Sequence, residues 1–457
     1  MQRNQSFTEG PIVSRLVRFA LPVLGALILQ AMYGAVDLMV VGRFAEKADV
    51  SAVSTGSQLM MGLTGIITGL SMGSTVLLGQ TLGRGSVEDG DPDAPGRVVG
   101  GAVCLFGAAA LMMSLVVTLL AGPLSRLLNA PREAFSQTVG YVTVCALGML
   151  FIAGYNVLAG LFRGMGDSRT PLMAVAIACV CNITGDLILV KGLRMGSVGA
   201  ALATVLSQGL SVLICLPIIH RRGLPFAFSR KHVGFHRDVI RETVRLGAPI
   251  ALQDLLVSIS FLGIVSIVNS LGVVVSAGVG VAEKLCSFVL LIPSAFMQSL
   301  SAFVAQNTGA GRDDRSRKAM LAGMLISFSM GLVIGTFAFF RGDLLAGLFA
   351  KDPDVVAAGA EYLKAYAIDT LLVSFFFCFN GYFNGLGETR FVMAQGLISA
   401  FLVRLPFSWL MSRVRPVSLF RIGLAIPLSS LCQIAMCLFW YWRIHEEAGN
   451  GRRQELR

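Results

Sequence analysis

Four polar residues sit inside apolar runs of membrane length, at spacings that bring their side chains to one depth. Asp37 lies near the end of the run Leu16 to Gly42 (LVRFALPVLGALILQAMYGAVDLMVVG), six residues before Arg43, and Asp186 lies five before Lys191. If those basic residues mark outer helix ends, each carboxylate lies roughly 8–9 Å in from that end. Asn182 and Asp186 are four apart and share a helix face. Thr204 follows a short turn around Arg194 and Met195, so a hairpin brings it level with Asp186. A carboxylate in hydrocarbon costs several kcal/mol unless it is paired, hydrated or protonated. Two carboxylates, an amide and a hydroxyl at one depth suit a hard cation with oxygen ligands, such as Na+. They suit a proton equally well, since two buried acids can share one. The structural alternative is that each acid bonds a neighbouring helix and holds the bundle together.

The elements that must position these groups are helices in a membrane. Of 457 residues 55% are apolar and 14% charged, with mean hydropathy +0.74, whereas a soluble domain carries about 25% charged residues. Spanning runs recur near 17–42, 50–81, 98–120, 136–162, 172–191, 197–219, 245–270, 276–306, 319–340, 357–383, 392–412 and 421–443. Twelve spans put both termini on one side. The connections and tails of that side hold 23 of the 37 Lys and Arg and the opposite connections 11, the segment His220 to Arg245 alone contributing seven. This excess marks the cytoplasm. The fold class expected is an all-α integral membrane protein, multi-pass, with both termini cytoplasmic.

The net charge of +11 is accounted for by these loops, so no nucleic-acid partner is expected. The nine cysteines lie in apolar runs without a CxxC pair and read as buried reduced thiols, not as a disulfide framework. The histidines lack metal-ligand spacing. No phosphate-binding Gly-x-x-x-x-Gly-Lys-[Ser/Thr] occurs, so ATP does not drive this chain directly, and no acid/base or metal set calls for an enzyme. No cofactor is implied.

The chain repeats itself. Val17-Arg-Phe-Ala-Leu-Pro22 matches Val244-Arg-Leu-Gly-Ala-Pro249; Gln80-Thr-Leu-Gly-Arg-Gly85 matches Gln306-Asn-Thr-Gly-Ala-Gly311; Phe162-Arg-Gly-Met-Gly-Asp-Ser-Arg169 matches Phe383-Asn-Gly-Leu-Gly-Glu-Thr-Arg390. Six spans per copy make this a parallel repeat, with a pseudo-two-fold axis along the membrane normal, as in transporters whose two bundles rock around a central site. The expected lobes are 1–219 and 245–457, joined by a linker at 220–244. Carried across the repeat, Asp37 falls on Ile264 and Asp186 on or near Phe407, so the second lobe lacks the four-residue pocket.

These motifs, with Asp37-Leu-Met-Val-Val-Gly-Arg43, Asn182-Ile-Thr-Gly-Asp186 and Gly196-Ser-Val-Gly-Ala-Ala-Leu-Ala-Thr204, carry a family likeness. The chain resembles the multidrug and toxic compound extrusion (MATE) transporters over essentially its whole length, most closely the prokaryotic DinF-like branch. The resemblance implies two six-helix lobes and export of cationic organic compounds coupled to inward H+ or Na+ across a bacterial inner membrane. It also implies that Asp37, Asn182, Asp186 and Thr204 form the polar pocket of the first lobe, and that Pro22 is where the first helix bends. A flippase for a lipid-linked saccharide, a relative with similar lobes, is the alternative; it would want basic residues in the cavity, where only Lys284 and Arg404 could serve. A monomer in contact with membrane lipid is expected.

Other groups have less defined roles. Glu283 and Asp369 are second-lobe acids that could face a cavity, and Met32 and Tyr33 are candidates for an apolar, polarisable substrate surface. Glu361 and Lys364 are expected to snorkel outward, and Arg404 needs a partner. The acidic insert Glu88 to Asp93 reads as a solvated loop.

Overall fold

Within hydrocarbon a backbone must satisfy its own N–H and C=O groups, which restricts an apolar chain of this kind to helices. The computed structural model describes residues 7–86 and 91–455, and among these there is no strand. Eleven helices are long and apolar enough to span a membrane, and a bent pair makes the twelfth. In chain order they are α1 (Ile12–Phe44), α2 (Lys47–Arg84), α3 (Ala94–Leu119), α4 (Arg132–Leu147 and Met149–Gly164), α5 (Arg169–Gly192), α6 (Gly196–Arg221), α7 (Arg237–Asn269), α8 (Val273–Gly309), α9 (Asp313–Gly347), α10 (Pro353–Leu386), α11 (Thr389–Arg413) and α12 (Leu419–Glu446). Each falls on one of the expected spans.

Several helices differ in detail from a plain apolar rod. The two parts of α4 meet at Gly148 with a bend of 53°, at a point where a Cβ would overlap the side chain of Val205 on α6. The last turn of α5, Leu187–Gly192, is a π-helix that begins directly after Asp186, and a second π segment, Ser399–Arg404, interrupts α11. Such insertions often accompany functional positions. Pro22 leaves α1 unbroken as a helix, although it removes one backbone donor.

The repeated motifs have local structural reasons. Gly166 and Gly387, equivalent in the repeat, both take positive φ (84° and 95°), a conformation glycine adopts without strain. The Asp167 carboxylate then accepts the backbone N–H groups of Arg169 (3.0 Å) and Thr170 (3.1 Å), capping α5. Asp49 on α2 accepts the N–H of Ser197 at 2.8 Å, capping α6. The described part of the acidic insert is engaged as well: Asp91 pairs with Arg97 at 2.5 Å, and Asp93 with Lys231 at 3.0 Å and His232 at 3.1 Å. Residues 88–90 lie outside the described residues.

The described chain divides into two compact units. The first comprises Met1–Leu252, Ala302–Ser316 and Gly385–Gly387; the second comprises Gln253–Ser301, Arg317–Asn384 and Glu388–Arg457. In the first unit α1 packs on α5, α5 on α6, and α2 on α4, around a core that includes Val41, Leu78, Val142, Met149 and Val190. The second has its own core around Ile264, Val268, Tyr362 and Ile422. Leu119, Phe340 and Trp442 project outward, which is unremarkable only where the solvent is lipid. Cys181 is also exposed on the surface of α5, unlike the buried thiol expected.

Candidate functional site

Three helices of the first unit converge on the acids. Gly185 lets α5 approach α6: a Cβ there would stand 3.1 Å from that of Ala203. This close crossing packs the turn that carries Asp186 against the turn of α6 that carries Ala203 and Thr204. The hydroxyl of Thr204 donates to Asp37 Oδ2 at 2.9 Å, tying α6 to α1. Asp37 is 4% exposed, and Asn182 and Asp186 not at all. Arg43 and Lys191 both stand over the ring of Phe44, at 6.0 and 5.0 Å, so the ends of α1 and α5 do share a depth.

The polar atoms here are poorly satisfied. The carboxyl groups of Asp37 and Asp186 are close neighbours, with the Asn182 amide beside Asp37. Yet Asp37 Oδ1, both oxygens of Asp186 and both amide atoms of Asn182 have no hydrogen-bond partner among the described residues. Two carboxylates are acceptors only, so nothing holds them together until a proton or a cation comes between them. A buried polar group without a partner costs about 1–3 kcal/mol, and more when charged. Five such atoms, four acceptor oxygens and one amide donor, are left unpaired within this one cluster.

The surroundings include groups that spacing alone did not suggest. Tyr141 and Cys145 on α4 lie within electrostatic range of Asp37. Tyr141 is held against α2 at Gly56, where a Cβ would overlap its ring. Tyr33, one turn from Asp37 on α1, is buried in an apolar cluster with Tyr155 and Phe162, whereas Met32 on the adjoining face is exposed. The only cue in the sequence for Tyr141 is the glycine opposite it, and that pairing is visible only once the helices are packed.

The acids of the second unit are arranged differently. Asp369, 4% exposed, accepts the hydroxyl of Ser430 at 2.5 Å. Arg404 is also buried; it donates to Ser260 Oγ, and its guanidinium lies 4.0 Å over the ring of Phe261. These are the partners that the sequence did not reveal. Glu283 is half-buried, with Oε1 unpartnered among the described residues. Glu361 does not snorkel freely: it accepts the Ser418 hydroxyl at 2.6 Å and the Phe420 N–H at 3.2 Å, fixing the start of α12. It also lines a cavity of about 350 Å³ with Arg415 and Leu271, away from Asp369 and Arg404.

The profile of the MatE family matches this chain twice, at residues 22–188 and 249–410, each match opening on the repeated proline. The chain belongs to the MatE family. MATE proteins are membrane transporters, not enzymes, and the duplication read from the motifs is the duplication of this family. Among curated relatives, the "Probable multidrug resistance protein YpnP" of Bacillus subtilis is 30% identical over 95% of this chain and 96% of its own length. The "Multidrug export protein MepA" of Staphylococcus aureus is 22% identical over 95% of both chains. A protein solved as "MATE in the bent conformation" superposes with a TM-score of 0.91 at 19% identity, over 98% of this chain and 99% of that one.

Proposed function

We propose that this MATE protein is a secondary antiporter that exports cationic and amphipathic organic compounds, drugs among them, in exchange for inward H+ or Na+. The observation that carries this reading is the pair of neighbouring carboxyl groups at Asp37 and Asp186, of whose four oxygens only Asp37 Oδ2 has a donor, the Thr204 hydroxyl. With Asn182 and Thr204 they supply up to six oxygens, a hard-cation set, or hold one proton between the acids. When that charge leaves, the acids repel, and α1 and α5 have reason to separate. Relatives named for multidrug resistance and export support the substrate class.

In this scheme the halves 1–219 and 245–457 rock around the substrate, joined by 220–244, and the chain works as a monomer in a bacterial cytoplasmic membrane with both termini inside. Pro22 supplies the compliant point of α1, since the Arg18 carbonyl lacks its helical donor. The flippase reading is disfavoured because Arg404, its best pyrophosphate ligand, is engaged with Ser260 and Phe261.

Everted vesicles test the proposal. Ethidium uptake under an imposed Na+ or pH gradient should respond to one of the two. Asp37→Asn and Asp186→Asn should each reduce it by about tenfold or more, since an amide neither takes up nor releases the charge, and Pro22→Ala should slow it. Both amide variants working at the wild-type rate would overturn the reading.

A further inference from the structure

Two glutamines related by the repeat make the same hydrogen bond in opposite directions. Gln80, near the end of α2, donates Nε2–H to the carbonyl of Gly385 at 3.1 Å. Gln306, near the end of α8, donates Nε2–H to the carbonyl of Gly164 at 2.8 Å. In the aligned motifs Gln80 corresponds to Gln306 and Gly164 to Gly385. Each copy therefore holds the other by an identical contact.

The backbones beneath them are equally matched. A Cβ on Gly83 would overlap the carbonyl oxygen of Gln306, and one on Gly309 would overlap that of Gln80. Both glycines have ordinary helical backbones, so the close approach, not a turn, is what requires them. All of these residues belong to the first compact unit, because the ends of α8 and α10 pack with the first repeat there.

One arm carries an extra strap. Gln306 Oε1 accepts the N–H of Phe7 at 3.1 Å, and Phe7 O accepts from Asn307 Nδ2 at 3.3 Å and Arg315 at 3.1 Å. Arg315 also donates to the carbonyls of Glu9 and Gly10, both at 3.0 Å, and the Phe7 ring sits 4.9 Å from those of both Phe19 and Phe303. The segment before α1 thus seals the Gln306 arm.

We propose that Gln80 and Gln306 form a two-armed clasp that holds the terminus-side ends of the two repeats shut, and that substrate enters from that side only when both arms release. The role in substrate entry rests on the transport reading above; the clasp itself does not. A neutral amide-to-carbonyl bond is strong enough to close an end and weak enough to reopen in each cycle. Its lack of charge leaves it indifferent to the coupling ion.

Hydrogen exchange on the full-length protein tests the clasp directly. Amides in 78–85, 164–166, 304–312 and 385–387 should exchange about fivefold faster in Gln80→Ala, which loses one neutral hydrogen bond, about twentyfold faster in Gln306→Ala, which loses two, and fastest in the double variant. Peptides around Asp37 and Asp186 should be unchanged. Gln80→Lys, which keeps a donor, should stay near wild type, and Gly83→Ala, which forces the backbones apart, should resemble the double variant. Unchanged exchange at the four segments, or acceleration spread over every helix, overturns the clasp, as does Gln80→Lys behaving like Gln80→Ala.

In vesicles that expose the terminus side, the double variant should show a lower half-saturation for ethidium together with a lower maximal rate, because more of the population stands open to that side. A lower rate with unchanged half-saturation would mean the glutamines only stabilise the fold and would overturn their gating role. If the wild-type protein moves no ethidium under either gradient while the exchange pattern appears as described, the transport reading fails and the clasp stands.

Discussion

The two units solve the problem of buried acids in opposite ways. In the first, Asp37 and Asp186 are neighbours with a hydroxyl on one oxygen and, among the described residues, no hydrogen-bond partner on the other three. In the second, Asp369 has a hydroxyl donor and the field of a buried guanidinium nearby. Where the repeat places the counterpart of Asp37, the second unit has Ile264, fully buried in its apolar core. The difference teaches which acid can be mobile in charge. Asp369 has its donor, Ser430, and a guanidinium in its surroundings, Arg404, both supplied by the chain itself. Asp37 and Asp186 have no such cationic group beside them among the described residues, and under the proposed antiport their balancing charge would come from outside and could leave again.

The strongest way to break this contrast is to give the first unit a cation of its own. Asn182→Lys places an ammonium beside both acids, as Arg404 stands near Asp369. Ethidium efflux should fall by about tenfold or more and lose its dependence on the driving ion, since a tethered charge cannot be released. The thermal midpoint should hold or rise, because the neighbouring carboxylates are then compensated. Normal ion-dependent efflux by Asn182→Lys would show that the cluster is a structural bond between helices and nothing more.

The reverse exchange has a smaller expected effect. Arg404→Met removes the internal charge of the second unit and leaves Ser260 and Asp369 without it. This should cost about 1–3 kcal/mol of stability, the range for stranding a buried polar group, read as a lowered unfolding midpoint. Adding Asp369→Asn should recover most of that loss, because the acid that needed compensation is gone. Ion coupling should survive in both variants. Were coupling lost with Arg404→Met and not with Asp37→Asn, the assignment of roles to the two units would be reversed.

The sequence revealed some of this architecture and hid the rest for definable reasons. Apolar length located all twelve spans, because a membrane imposes a minimum run. The acid cluster was legible because charges are scarce in such runs and Arg43 and Lys191 gave each helix a ruler. The duplication was legible because its motifs sit at turns, where Gly166 and Gly387 need positive φ. Hidden were features made by one helix pressing on another: the bend of α4 against Val205, the lock of Tyr141 on Gly56, and the Ser260 and Phe261 partners of Arg404. A glycine in an apolar run does not say which neighbour it admits. Gln80 and Gln306 stood out as repeat residues, but their bonds run to the opposite copy, which periodicity within one helix cannot register.

The smallest effect should come from a place where both units' acids are irrelevant, the docking of the linker on α3. His232 is buried there against Gly96 and Gly100, and a Cβ on Gly100 would overlap its carbonyl oxygen. Asp93 holds the same segment from the surface through Lys231 and His232, and the hydrogen bond from Lys231, then that from His232, keeps its carboxyl below the usual carboxylate range. A depressed folded value means that this contact is fully present above the ordinary carboxylate pKa and is lost as pH falls through the lower, folded one. Trypsin cleavage at Arg230 and Lys231 is the readout. Gly100→Ala should accelerate it clearly by lifting the segment, and Asp93→Asn should do so by only about twofold, since exposed ion pairs hold little. Lowering pH from 7 to 5 should leave the contact intact, because Asp93 stays charged throughout that window. Ethidium transport should be insensitive to Asp93→Asn under either gradient; if it is not, charge compensation within the first unit extends beyond Asp37 and Asp186, and the contrast with the second unit has to be redrawn around the linker.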